Sequence, residues 1–156
     1  MRTIARRAAL AGTTLLAASI LGACGDSGSG STDHAVTVTR PWARTSAVGA
    51  EVGAAYMSIE VSLDDELLGV SVDAAVAADA QIHEMVISGG NLVMREVASI
   101  PVRAGEILEL TSGGYHVMFM GLAKALVTGE TIPVTLTFAQ AGDVVVEVPV
   151  QEDAPA

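Results

Sequence analysis

The sequence predicts an all-β sandwich of about nine strands. Three observations predict it. Short apolar or alternating segments recur between Gly, Pro, Asp and Ser punctuation, at roughly the spacing of a sandwich. No segment sustains a helical period; the alanine-rich stretch Ala74 to Ala80 is worth one turn of helix at most. The apolar content is 51% but only 3% is aromatic, so the core is aliphatic and largely β-branched, as strands prefer.

The strands follow in order. Ala35 to Thr39 alternates apolar and polar, and Ala54 to Val61 is strand-like. Leu67 to Val72 comes after the Asp64-Asp65 break. Ala80 to Val86 runs into Ser88-Gly89-Gly90-Asn91, and Leu92 to Val97 returns, which is the signature of a hairpin. Ile107 to Leu110 and Tyr115 to Met120 flank Gly113-Gly114. Ile132 to Phe138 and Val144 to Val150 form a second hairpin around Ala141-Gly142-Asp143.

The start of the chain reads as an export signal rather than as fold. Arg2, Arg6 and Arg7 precede an uncharged apolar run, Ala8 to Leu21, that is about 14 residues long and too short for a bilayer that needs roughly 20. It ends in Leu21-Gly22-Ala23-Cys24, which resembles a bacterial lipobox; the plainer alternative is an ordinary signal followed by a spare cysteine. The lipobox reading makes 1–23 a lipoprotein signal peptide and Cys24 the lipidated first residue, with 24–34 an anchor and flexible tether. The domain is expected over 35–150, and 151–156 as a frayed tail. The Arg6-Arg7 pair is compatible with twin-arginine export. The expected location is therefore extracytoplasmic, lipid-anchored to the bacterial cell membrane.

Cys24 is the only cysteine, which excludes an internal disulfide and a CxxC redox centre. Three of the eight Lys/Arg residues precede Cys24 and none of the 18 acidic ones does, so the chain from Cys24 onward carries a formal charge of −13. Such a surface repels nucleic acid, and no nucleic-acid partner is expected.

The chemistry concentrates in "GGYHVMFMGL", residues 113 to 122. Successive strand residues point to opposite faces. Tyr115, Val117 and Phe119 therefore share a bulky core-like face, and His116, Met118 and Met120 share the other. His83 and Met85 repeat the i, i+2 pattern on another strand, and pairing symmetric about Gly89 brings Met94 near His83. Two imidazoles with thioethers, and no thiolate, suit a soft monovalent ion, Cu(I) or its mimic Ag(I). Zinc sites draw on Cys, His and carboxylate, and calcium and magnesium need oxygen.

His83, ten residues, Met94, twenty-one residues, then His116-Val117-Met118 resembles the signature of the periplasmic copper chaperones called PCu(A)C. "PWAR" (41–44), "AAYM" (54–57), "IHEM" (82–85) and "GGYHVMFMGL" are similar to phrases that recur in that family, and the likeness spans roughly Ala35 to Val150. It implies a cupredoxin-like Greek-key β-sandwich or barrel. It also implies one Cu(I) held by His83, Met94, His116 and Met118, and delivery to the copper centres of cytochrome c oxidase, with an oxidase subunit or another copper chaperone as partner. Thr111-Ser112 stand before Gly113-Gly114 where the family usually has proline, and the tail "QEDAPA" lacks the His/Met-rich extension of some members, so one site is expected.

Other residues are read more plainly. Met57 is expected in the core, Met120 buried beneath the site, His34 solvated at the tether edge, and Glu84 pointing away from His83. Met85 either shields the site or substitutes as a ligand, and Trp42 is open between packing and shielding. Rival readings are a copper buffer without a dedicated recipient and a metal-free interaction lipoprotein. With no Ser/His/Asp order, no paired carboxylates and no phosphate loop, an enzyme is not expected.

Overall fold

A computed structural model describes residues 34–155. The expected signal peptide, Cys24 and the expected tether up to residue 33 lie outside the described residues. Ten strands follow one another: β1 (Val36–Arg44), β2 (Val52–Val61), β3 (Asp65–Val72), β4 (Ala77–Ser88), β5 (Asn91–Glu96), β6 (Ile100–Val102), β7 (Ile107–Leu110), β8 (Tyr115–Leu122), β9 (Thr131–Phe138) and β10 (Gly142–Gln151). The expected β architecture is observed, and each of the nine expected strands has its counterpart. The additional one is β6, paired to β3 through Asp65, Glu66 and Leu67. It has three residues around Pro101, too few to show a period, and its proline is tolerated because β6 lies at the edge of the strand order.

The strand order is β5-β4-β8-β7-β2-β1-β10-β9-β3-β6, with β8 also pairing β2. The pairings group β5 through β1 into one sheet and β10 through β6 into the other. They are stitched by a short parallel pairing of Ala43 and Arg44 with Val150 and Gln151. Gln151 thus belongs to β10. The alternation set by the sequence decides what lies inside. Ile59, Val117 and Phe119 of the first sheet and Leu67, Leu136 and Val148 of the second are fully buried in one cluster. Each such side chain contributes roughly 1.5–3 kcal/mol by leaving water. Met57 is core, as expected, at 2% exposure.

One buried carboxylate ties the second sheet to its connections. Asp65 accepts hydrogen bonds from the backbone N–H groups of Glu66 (2.8 Å), Gln140 (2.9 Å) and Ala141 (2.9 Å). His34 Nδ1 stands 4.0 Å from its Oδ2. His34 is therefore half-buried against Asp65 and not solvated, because the chain before β1 passes over this carboxylate. Burial raises the Asp65 pKa, but the backbone donors and His34 outweigh it and hold the group below its ordinary value.

A carboxylate depressed by folding adds stability above its unfolded pKa, near 3.9, and that stability is lost as pH falls through the lower folded value. Asp65→Asn is expected to cost about 1–3 kcal/mol near neutral pH, since it weakens charge-assisted bonds from part-buried N–H groups to a buried carboxylate. It should also flatten the acid limb of the melting temperature below about pH 4. Thermal melts of both proteins across that range check this; parallel acid limbs would refute the assignment.

Candidate metal-ligand face

The site is built on the register of β4 and β8. Antiparallel pairing sets Ile82 against Val117, His83 against His116 and Gln81 against Met118. Ile82 and Val117 are 3% and 0% exposed, so the core side of this pair is fixed, and His83 and His116 must share the opposite face. Their ring centroids are 6.0 Å apart, with the planes tilted by 52°.

The β4–β5 hairpin adds the sulfur. Gly89 and Gly90 take φ of 59° and 84°, the left-handed values that a two-residue hairpin turn requires and that glycine adopts without strain. The closing pair is Ser88 with Asn91, so Met85 pairs with Met94 and His83 with Glu96. The turn axis thus falls between the two glycines and not on Gly89. Met94 lies diagonal to His83, and its Sδ is 3.0 Å from Nε2 of His116. Met94 is 44% exposed on an edge strand, whereas His116 is 4% exposed.

The donor atoms fit a soft cation. His116 Nδ1 lies 3.1 Å from the Gly114 carbonyl oxygen, which only accepts. In the neutral ring Nδ1 therefore donates, and Nε2 turns a lone pair, not a hydrogen, toward the Met94 sulfur. Two lone-pair donors in contact suit a cation and offer each other little. Nδ1 of His83 is buried and has no hydrogen-bond partner, while its Nε2 lies 2.9 Å from Gln81 Oε1. Among the described residues no three His, Cys, Asp or Glu side chains cluster as a metal site. The face offers two imidazoles, and its other soft donors are thioethers.

The remaining methionines fall into place around this pair. Met118 shares the His116 face, faces Gln81 on one side and Ala54 on the other, and lines a groove with Arg44 and Val52. Met120, two residues on, pairs with Asp79 and Val52 and is half-buried. Met85 is half-buried directly across from Met94. Glu84 faces away, as expected, and binds Arg95 at 2.6 Å. Trp42 packs on Tyr56, with centroids 4.9 Å apart, and lines a separate groove with Arg40, Ser58, Glu109 and Pro155. Sequence reasoning missed the neighbours Gln81, Asp79 and Glu96. Only their i, i+2 and cross-strand placement relative to His83 could have signalled them.

Burial and the adjacent His116 lower the pKa of His83, against an opposing pull from Glu96.

The structure defines the class: a cupredoxin-like β-sandwich with the fold of PCuAC domains. It resembles the apo PCuAC domain of PmoF1 (TM-score 0.61, 26% identity, covering 79% of this chain and 98% of that one). It also resembles the CuI form of DR1885 from Deinococcus radiodurans (TM-score 0.58, 28% identity, 78% and 83%). Residues 36–150 match the family described as "Putative lipoprotein LpqE-like", and the chain belongs to that family. It is 33% identical over 118 residues to "Putative lipoprotein Lxx21020" of Leifsonia xyli subsp. xyli, covering 75% of this chain and 70% of that protein.

A histidine with a lowered pKa stays neutral to a lower pH than a free one. In the apo domain His83 should titrate below the usual value near 6.5, and Glu96→Gln should move it lower still. Long-range proton–nitrogen NMR across a pH series reads both midpoints. A His83 midpoint at or above 6.5, or an upward move in Glu96→Gln, contradicts the assignment.

Proposed function

We propose that this lipoprotein is an extracytoplasmic copper chaperone that carries one Cu(I) on His83, Met94, His116 and Met118. The observation that carries the reading is the contact between the His116 Nε2 lone pair and the Met94 sulfur, beside the unpartnered Nδ1 of His83. Two neutral nitrogens and two thioethers satisfy a soft monovalent ion without adding negative charge, so a thiolate-bearing acceptor draws it away by ligand exchange. The likeness to a Cu(I)-loaded protein supports the choice of ion.

Delivery to the copper centres of cytochrome c oxidase, directly or through a second copper chaperone, is the proposed destination. Lipidation at Cys24 and the 25–33 tether would hold the domain near membrane-embedded acceptors and raise its effective concentration there. The domain acts as a carrier and not as a catalyst.

Purified domain titrated with Cu(I) against a chromogenic chelator should take up one equivalent. His83→Ala and His116→Ala are expected to weaken binding by at least ~10-fold, and so are the volume-conserving Met94→Leu and Met118→Leu. Circular dichroism confirms that each variant folds. A wild type that fails to compete would favour a metal-free interaction module. Oxidase activity that survives deletion of the gene at limiting copper would favour a buffer without a dedicated recipient.

A further inference from the structure

Three side chains of β4 form a chain of hydrogen bonds along the face that carries His83. Asp79, Gln81 and His83 stand at i, i+2 and i+4, so strand alternation points all three the same way. Gln81 Nε2 donates to Asp79 Oδ2 at 3.0 Å. Gln81 Oε1 lies 2.9 Å from His83 Nε2.

The roles of these atoms can be deduced in sequence. An ionised carboxylate has no hydrogen to give, so Asp79 takes one from the Gln81 amide nitrogen. That contact fixes which way round the amide sits and leaves its oxygen facing His83. An amide oxygen also only accepts, so His83 Nε2 must carry the hydrogen between them. In the neutral ring the lone pair is then on Nδ1, the atom that is buried and has no partner. His116 is set by a different device: a backbone carbonyl takes its Nδ1–H and frees Nε2. The two histidines therefore present opposite ring nitrogens.

We infer that Gln81 and Asp79 are positioning residues for copper binding: Asp79 orients Gln81, and Gln81 fixes the tautomer and ring angle of His83 so that Nδ1 is its donor atom. This rests on the copper reading above. Neither residue touches the ion. Both act through His83, as hydrogen-bonded partners of metal-bound imidazoles do when they orient the ring and raise its basicity. The relay also explains a polar stripe on a strand whose opposite face is core. Gln81 is half-buried beside Met118, a place where an apolar residue would pack as well.

The test joins a readout without metal to one with it. Long-range proton–nitrogen NMR of the apo domain should show His83 as the Nε2–H tautomer, and Gln81→Leu should shift its ring nitrogens and leave those of His116 nearly unchanged. With Ag(I) as a redox-inert probe, Gln81→Leu should bind roughly 10–100-fold more weakly than wild type. The double variant D79N/Q81E reverses the hydrogen bond between 79 and 81 but keeps an accepting oxygen against His83 Nε2, and it should recover to within about 3-fold of wild type. An Nδ1–H tautomer in wild type, Ag(I) binding by Gln81→Leu equal to wild type, or no recovery in D79N/Q81E would overturn the inference. If wild type shows the Nε2–H tautomer but binds no Ag(I), the copper reading itself falls and takes the role of the relay with it.

Discussion

The register between β4 and β8 is the constraint on which the rest depends. It is set from inside the sandwich. Ala80 faces Phe119 and Ile82 faces Val117 across the pair, and all four are buried. A slip of one residue would turn these side chains to solvent and bury His83, Gln81 and Met118 in an aliphatic core. Each large aliphatic or aromatic side chain so lost would cost about 1.5–3 kcal/mol, before any desolvation of the polar groups. The approach of the two imidazoles is thus a by-product of core packing. The protein does not need a dedicated interaction to bring them together, which leaves both rings free of any bond to each other.

The place of Met94, the proposed third ligand, depends on a turn and not on the core. β5 is exposed along its length and pairs with β4 alone. What places Met94 is the Gly89-Gly90 turn, because a two-residue loop leaves no freedom in pairing once its closing residues are set. This is where the sequence was legible in kind but not in detail. The glycine pair between two apolar runs announces a hairpin, yet Ser88 and Asn91 are equally compatible with neighbouring alignments. Centring the turn on Gly89 pairs Met94 with Glu84. The observed axis lies half a residue further on, and Met94 faces Met85. That alignment keeps both sulfurs on the histidine face, and a shift of half a residue would not.

Much of the remainder was legible for one reason: a two-sided sheet writes its faces into the sequence with period two. The split of Tyr115, Val117 and Phe119 from His116, Met118 and Met120 needs no coordinates. What period two does not encode is lateral chemistry. Gln81 and Asp79 look like ordinary surface residues until the strand shows them aligned beneath His83. His34 looks like part of the tether until the packing carries it against Asp65. β6 has too few residues to carry any period and is specified by its partner β3.

The unequal burial of the donors has a mechanical consequence on the copper reading. His116 sits in the middle of the sheet, is almost inaccessible, and is fixed by the Gly114 carbonyl. Met94 is nearly half exposed on a strand with one free edge. On that reading an incoming thiolate would meet the Met94 side of the ion first, and Met94 would be the ligand able to leave without disturbing the core. The histidines would keep hold until the acceptor had made its first bond. Such a face, with the yielding Met94 sulfur at its rim and two rigid nitrogens behind it, would bind a soft ion and still let it go, and the cost of release would fall on a hairpin instead of on the fold.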